Sequence, residues 1–233
     1  MTSKQIPGSA RVVIIGGGII GCSVAYNLAD MGCTDVVLLE RDQLTSGTTW
    51  HAAGLMTIYG SSSETSLGIR RYSRELYQRI ERETGMSTGF MKVGFIEVAS
   101  DSDRLEEYRR VTCFNRRHGN EVQEISPSEI KRLFPYADTA PMVAGFYCPD
   151  DGRINPVDLT MTMAKAARLK GVRIFQNTPV TGVLARNGTA LGVRTEHGDI
   201  QAEFVVNCAG MWARQLGELS GVCIPNQAAE HYY

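Results

Sequence analysis

A glycine-rich turn between an apolar strand and a helix most constrains how this chain can fold. Residues 12–15 are an apolar run, which is typical of a parallel strand buried on both faces. Gly16, Gly18 and Gly21 follow at the spacing G-x-G-x-x-G. Such glycines allow a sharp turn, a close approach of the backbone to a phosphate, and tight packing of the next helix. The pattern therefore predicts a dinucleotide site at the start of that helix.

The residues after the turn extend this pattern into a strand–helix–strand unit. Four apolar residues recur at helical spacing and predict the buried face of the helix: Ile20, Val24, Leu28 and Met31. Gly32 is placed to end the helix, and residues 36–39 form a second apolar strand that leads to Glu40. An acidic side chain at this strand end suits a ribose hydroxyl and would repel a 2′-phosphate. An ordinary glycine-rich turn is the alternative interpretation, and the agreement of all these elements favours the dinucleotide site.

Length and charge narrow the class of ligand. The chain has 233 residues, enough for one large or two small domains with a proper core. Its net charge of -1 gives no basic surface for nucleic acid or for an anionic membrane. The longest apolar run, residues 12–22, is too short to span a bilayer. We therefore expect a small-molecule ligand, with neither nucleic acid nor membrane as a partner.

Cysteine usage and the first residues bear on the compartment. None of the six cysteines forms a C-x-x-C pair, so we expect reduced thiols, no disulfide framework and no metal site. The residues before the first strand show no secretory or organellar targeting pattern. A cytoplasmic, bacterial protein is the simplest interpretation. A mitochondrial-matrix protein whose transit peptide was removed is the alternative.

The remaining chain mixes helices and strands without an internal repeat. Residues 42–55 form a loop rich in Gly, Ser and Thr that contains Trp50 and His51. A long helix over 64–84 is predicted to bury its regularly spaced apolar residues: Leu67, Ile69, Tyr72, Leu76, Tyr77 and Ile80. The other predicted helices start at Asp101, Pro127, Val157 and Met211. Strands are predicted at 93–99, 121–125, 143–148, 172–176, 180–186, 191–196 and 200–207.

With these residues in view, the chain resembles the flavoprotein half of the dimethylglycine and sarcosine dehydrogenases, within the wider D-amino-acid-oxidase-like FAD family. Three segments carry the resemblance: GGGIIG with the terminal Glu40-Arg41, LTSGTTWHAAGL at 44–55, and VVNCAGMWARQLG at 205–217. The second is the most specific. DGRINP at 151–156 also matches. The resemblance implies an α/β fold, in which a Rossmann-like FAD-binding domain is interleaved with a mixed-sheet α+β substrate domain.

The resemblance also implies a domain division and an incomplete chain. It assigns residues 1–58 and 149–220 to the FAD-binding domain and 59–148 to the substrate-domain insertion. Residues 221–233 would begin a second substrate-domain part that is truncated at Tyr233. Relatives continue into further substrate and flavin contacts and a folate-binding half, so this piece alone is expected to lack parts of the site.

Carried over residue by residue, the resemblance implies a set of FAD contacts. The turn and strand end supply Gly16, Gly18, Ile19, Ile20, Gly21, Glu40 and Arg41. The loop supplies Gly47, Thr48, Thr49, Trp50, His51, Ala52, Ala53, Gly54 and Leu55, and the later strands supply Val180, Ala209, Gly210 and Trp212. Backbone N–H groups of Ile19 and Ile20 would meet the pyrophosphate, and His51 is where the family attaches the flavin 8α-methyl covalently. A histidine without that role is the alternative for His51.

The activity implied by the resemblance is oxidation of the N-methyl C–N bond of sarcosine, dimethylglycine or a related N-methyl amine, by hydride transfer to flavin N5. His231, at the start of an expected strand, and more weakly Tyr233 are the substrate-side candidates. Electrons would pass to an electron-transfer flavoprotein or to oxygen. The alternatives are a noncovalent FAD amine, amino-acid or glycerol-phosphate oxidoreductase, a noncatalytic regulatory subunit or inactive fragment, and a NAD-dependent reductase.

Overall fold

The computed structural model describes residues 5–231, which divide into two compact units. The first unit comprises the chain through Ala53, Ile80–Thr88 and the chain from Pro156; the second comprises Gly54–Arg79 and Gly89–Asn155. The strands are β1 (Ser9–Ile15), β2 (Val36–Leu39), β3 (Leu55–Met56), β4 (Phe95–Ala99), β5 (Gln123–Ile125), β6 (Ala144–Cys148), β7 (Gly152–Arg153), β8 (Arg173–Phe175), β9 (Val180–Arg186), β10 (Thr189–Thr195) and β11 (Gly198–Asn207). The helices are α1 (Ile19–Asp30), α2 (Glu64–Thr84), α3 (Ser102–Arg117), α4 (Pro127–Leu133), α5 (Pro156–Leu169) and α6 (Ala213–Glu218).

A six-stranded sheet organises the first unit. Its order is β8-β2-β1-β11-β10-β9, with β8, β2, β1 and β11 parallel and β11, β10 and β9 antiparallel. In the register of the central strands, Val13 lies between Val37 and Val205. Residues 12–15 and 36–39 are buried throughout, as continuous apolar runs in a covered parallel sheet should be. The predicted α/β fold with a mixed sheet is confirmed.

The buried face of α1 differs from the prediction. Ile20 and Met31 have 64% and 76% of their surface exposed. The buried residues of the helix are small apart from one tyrosine: Gly21, Cys22, Ala25, Tyr26 and Ala29. The helix contacts β1, β2 and α5, and the close approach to the sheet at its first turn leaves room only for small side chains. Ile20, in this first turn, therefore lies on the outer face although its spacing is helical. Met31 follows the end of the helix, and Val24 and Leu28 are half-buried.

The second unit contains a three-stranded antiparallel sheet, β4-β6-β5, and the short antiparallel pair β3-β7. Its core is aromatic, with Phe146 stacked on Tyr59 at 6.5 Å and meeting Tyr108 edge-on at 5.8 Å between ring centroids. Within α2, Ile69 and Tyr72 are exposed, so their prediction as core residues is wrong. The domain boundaries drawn from the sequence remain predictions.

Helix starts and hairpin turns follow their local sequence signals. Asp101 accepts the N–H of Arg104 at 2.8 Å and caps α3, as predicted. Ser126 and Glu129 form a reciprocal capping box at α4. Asn187 and Gly188 both have positive φ, 51° and 76°, which is the geometry of a two-residue hairpin turn between β9 and β10.

Candidate functional site

The glycine turn lies where β1 ends and α1 begins. Gly16 has φ +113°, and a Cβ at this position would lie well under 3.0 Å from the Cys208 carbonyl. A Cβ at Gly21 would meet the Gly16 carbonyl at a similarly impossible distance. Backbone therefore packs directly on backbone at both positions, and no side chain fits. This is the close packing that the spacing of the first and third glycines requires.

The first turn of α1 has the chemistry of an anion site. Gly18 is the N-cap residue and provides no side-chain cap, and no acidic residue lies in the first turn. The Ile19 N–H donates to Thr49 Oγ1 at 3.1 Å. A phosphate at this helix end would share that donor with Thr49 or displace the hydroxyl. The helix dipole and the remaining N–H groups of the first turn favour negative charge here.

Glu40 lies against the same turn and is 9% exposed. Its Oε2 accepts the Gly17 N–H at 2.6 Å, and its Oε1 accepts the Asp42 N–H at 2.9 Å. An ionised carboxylate has about four acceptor positions, so each oxygen retains capacity for a ligand hydroxyl. The side chain thus braces the glycine turn while it faces the cavity beside it.

One cavity of about 260 Å³ in the first unit gathers residues from both ends of the sequence. Eleven of the residues implied by the resemblance line it: Gly16, Gly18, Glu40, Arg41, Gly47, Thr48, Thr49, Val180, Ala209, Gly210 and Trp212. Eight further residues line the cavity and were not predicted from the sequence: Ile15, Leu39, Ser46, Pro179, Cys208, Gln215, Leu216 and Leu219. Ile15, Leu39 and Cys208 end or follow the parallel strands β1, β2 and β11. The rule that ligands bind at the carboxyl ends of parallel strands could have found these three.

Arg41 and Trp212 form the opposite side of this cavity. The Arg41 guanidinium carbon lies 4.0 Å from the centre of the Trp212 ring, within the range of a cation–π contact. A Cβ at Gly47 would lie 3.3 Å from the same ring. The ring therefore packs closely over the loop that contains Gly47, and the guanidinium covers it.

Two cysteines near the glycine turn are poor nucleophiles. Burial raises the pKa of Cys22 to about 12, and burial also raises the pKa of Cys208, which lines the cavity. Because the thiolate is the reactive form, both side chains stay protonated near neutral pH. Cys208 therefore adds an uncharged side chain to the cavity wall, and Cys22 is buried within α1.

The segment Trp50–Ala53 continues the loop beyond the residues that line the cavity. Residues 49–51 form a 3₁₀ turn, and the Trp50 and His51 rings lie 3.7 Å apart between centroids. Trp50, His51, Ala52 and Ala53 are exposed in the first unit, whereas Gly54 and Leu55 belong to the second. Ile19, Ile20 and Gly21 lie in α1 beside the cavity without lining it.

The substrate-side candidates lie at the end of the chain. His231 is exposed, and residues 222–231 contain no helix or strand; the strand expected to begin at His231 continues onto residues outside the described range. Tyr233 lies outside that range. Across residues 5–231, no helix is long and apolar enough to cross a membrane, and no group of three or more His, Cys, Asp or Glu side chains is placed to hold a metal.

Comparison with known proteins adds independent findings. The family model described as FAD dependent oxidoreductase (DAO) matches residues 11–233. Human mitochondrial sarcosine dehydrogenase is 39% identical over 99% of this chain, and rat mitochondrial dimethylglycine dehydrogenase is 41% identical over 96%. A mouse protein, the mitochondrial pyruvate dehydrogenase phosphatase regulatory subunit, is 40% identical over 99%. The chain spans about a quarter of each of these relatives, 26% of their length.

Solved structures agree on the fold. The crystal structure of L-proline dehydrogenase from P. horikoshii superposes with a TM-score of 0.85 at 28% identity. The match covers 93% of this chain and 57% of that protein.

Proposed function

Because the chain belongs to the FAD-dependent oxidoreductase (DAO) family, as the sequence resemblance predicted, we propose that it forms the FAD site of an amine dehydrogenase or oxidase. The proposed reaction is oxidation of the N-methyl C–N bond of sarcosine, dimethylglycine or a related N-methyl amine. One observation carries the proposal: the glycine turn and Glu40 line the same cavity as Ala209, Gly210 and Trp212. Similarity to sarcosine and dimethylglycine dehydrogenases supports the substrate class.

The residues around the cavity fit the adenosine and pyrophosphate parts of FAD. The first turn of α1 carries backbone donors, no side-chain cap and no acidic residue, which suits a pyrophosphate. Glu40 retains acceptor capacity for ribose hydroxyls. The backbone of Val180 would meet the adenine, and Ala209, Gly210 and Trp212 would cover the cofactor.

When bound, FAD supplies the acceptor for the hydride that leaves the N-methyl carbon. The protein's own task is to bind and orient the cofactor and to exclude water from it. On the substrate side we retain His231 as the group that would orient the amino acid, with Tyr233 as the weaker candidate. The electron acceptor would be an electron-transfer flavoprotein or oxygen.

Covalent attachment of the flavin at His51 is the most specific part of this proposal. The T-W-H-A-A-G segment supports it, because the family's attachment histidine occupies this motif. Chain connectivity also supports it, because His51 lies two residues after Thr49, which lines the cavity. An exposed imidazole at the edge of a short turn is accessible for bond formation.

The test compares the purified protein with His51→Ala and with His197→Ala, a second exposed histidine in the same unit. After acid denaturation, we expect a fluorescent band on the gel from wild type and His197→Ala and none from His51→Ala. Both substitutions are at exposed positions, so each should change the free energy of unfolding by no more than about 0.5 kcal/mol. A fluorescent band from His51→Ala would place the attachment at another residue. A wild type that binds FAD without fluorescence after denaturation would favour the noncovalent oxidoreductases.

A noncatalytic regulatory subunit is the second candidate, because the mouse phosphatase regulatory subunit is as similar to this chain as the dehydrogenases are. Anaerobic titration of the flavin-loaded protein with sarcosine or dimethylglycine separates the two. Bleaching of the flavin absorbance supports the enzyme. Flavin that stays oxidised with either amine favours the noncatalytic candidate.

A further inference from the structure

Asn207 is the last residue of β11 in the first unit and is half-buried. It pairs with Ile15 in the sheet, and the N–H of the next residue, Cys208, donates to the Ile15 carbonyl at 2.8 Å. Ile15 and Cys208 both line the cavity described above, whereas Asn207 lines a second cavity, of about 460 Å³, in the same unit. Asn207 thus adjoins the proposed FAD site without lining it.

The amide group of Asn207 bonds to both ends of the turn that follows it. Its Oδ1 accepts the Ala209 N–H at 3.1 Å, and its Nδ2 donates to the Ala213 carbonyl at 2.9 Å. Residues 210–212 form a 3₁₀ turn between these two bonds, in which the Trp212 N–H donates to the Ala209 carbonyl at 3.0 Å. One side chain therefore spans the whole turn, and both its acceptor and its donor are used.

This turn carries one wall of the proposed FAD site. Residues 209–219, here called the cover segment, contain the turn and α6, which begins at Ala213. The Asn226 amide also donates to the Gly210 carbonyl, but at 3.4 Å this bond is longer and weaker than those of Asn207. Six residues of the cover segment line the cavity: Ala209, Gly210, Trp212, Gln215, Leu216 and Leu219.

The start of the cover segment is fixed, but its direction from there is not. A Cβ at Gly16 would meet the Cys208 carbonyl well under 3.0 Å and the Ala209 nitrogen at 3.2 Å, so backbone packs on backbone at this point. Gly210 follows with φ +57°, and a glycine has more accessible backbone conformations than any other residue. Without a bond across the turn, the cover segment could therefore leave the packed point in several directions.

We propose that Asn207 is a positioning residue for FAD. By bonding to both ends of the turn, it keeps the backbone of the cover segment in place along the cavity before the cofactor binds. Without the amide, the segment would adopt this conformation in only a fraction of the molecules. The apparent FAD dissociation constant would then rise by the inverse of that fraction. This inference rests on the proposed FAD site.

The test compares Asn207→Asp with Asn187→Asp. Aspartate has the shape of asparagine and still accepts the Ala209 N–H, but its carboxylate cannot donate to the Ala213 carbonyl. Asn187 is exposed in the turn between β9 and β10 and lines the same second cavity, so both variants add one negative charge to this cavity.

Two quantities are measured. The FAD dissociation constant is determined in a His51→Ala background, where FAD binding would be reversible. Amide hydrogen exchange is determined in FAD-free protein for Trp212, whose N–H closes the turn, and for β1, which reports on the stability of the sheet.

We expect Asn207→Asp to raise the FAD dissociation constant about 5- to 100-fold relative to Asn187→Asp, the range for a buried polar group that loses its partner. The cover segment would then be in place in about 1–20% of the molecules. The Trp212 amide should therefore exchange nearly as fast as an unprotected amide, while the amides of β1 exchange as in the control.

Equal dissociation constants in the two variants, with FAD bound by wild type, overturn the inference alone. Weaker FAD binding with unchanged Trp212 exchange also overturns it, since the turn is then in place without the Asn207 amide. Faster exchange throughout β1 shows a general structural role and has the same consequence. Absence of FAD binding in wild type overturns the proposed function and the inference together. Should Asn207→Asp not fold, Asn207→Ser, whose shorter side chain cannot reach both ends of the turn, enters the same comparison.

Discussion

The two sides of the cavity in the first unit are held by different kinds of contact. On one side, Gly16 and Gly21 bring backbone against backbone with no room for a Cβ. On the other side, the exposed Arg41 covers the half-buried Trp212 ring at 4.0 Å. The first side is buried within the β1–α1 crossing, whereas the second consists of side chains that meet solvent.

This difference separates the roles of the two sides in cofactor binding. A backbone surface that is fixed by close packing is in place before the ligand arrives and loses little entropy on binding. A contact between an exposed guanidinium and a half-buried ring is weaker and can rearrange around the ligand. We call the side formed by Gly16 and Gly21 the glycine side and expect FAD affinity to depend mainly on it. Arg41 and Trp212 are expected to cover the cofactor once it is bound.

The largest effect should come from Gly21→Ala. The added Cβ meets the Gly16 carbonyl, which is backbone and cannot rotate away, so we expect a loss of about 3 kcal/mol or more in the free energy of unfolding. Urea unfolding and retained FAD are the measurements. The control is Gly68→Ala in α2, where no atom lies within 4 Å of the added Cβ, and which should stabilise by about 0.5–1 kcal/mol. If Gly21→Ala left FAD bound and the free energy of unfolding unchanged, the glycine side would not be rigid.

A smaller effect is expected from Glu40→Gln. The amide keeps one acceptor, so either the Gly17 or the Asp42 N–H loses its partner, at a cost of about 1–3 kcal/mol in stability without FAD. The control is Glu203→Gln, which removes an exposed carboxylate paired with Arg11 and should cost at most about 1 kcal/mol. If Glu40 serves the ribose alone, the variant would weaken FAD binding while the unfolding of FAD-free protein stayed at the control value.

The glycine side could be predicted from the sequence because its cause is local. A run of apolar residues, a fixed glycine spacing and an acid at the next strand end are all contained in residues 12–40. The same reasoning did not predict which face of α1 is buried. The spacing of apolar residues does not show how closely the helix approaches the sheet. Ile20 and Met31 fit the period and still lie outside.

The Trp212 side could not be predicted in the same way. Arg41 and Trp212 meet only after β11 returns to lie beside β1, and no local pattern pairs them. Gln215 and Leu219 line the cavity for the same long-range reason. Sequence reasoning reached Trp212 through family resemblance, and neither its cationic neighbour nor the contact with Gly47 followed from that.

The smallest expected effect is on FAD affinity when the Arg41–Trp212 contact is removed. This experiment tests most directly whether the two sides of the cavity differ. In a His51→Ala background, where FAD binding would be reversible, the FAD dissociation constant is measured for Arg41→Ala, Trp212→Leu and the double variant. If the guanidinium and the ring cover the cofactor together, their effects on FAD binding are coupled, and the coupling energy from this double-mutant cycle should be about 0.5–1 kcal/mol. Arg41 Nε also lies 3.4 Å from Asp42, but that contact is lost in both arms of the cycle and cancels. A coupling energy near zero would mean that the ring packs on the Gly47 loop independently, so that this side is as preformed as the glycine turn and the contrast between the two sides disappears.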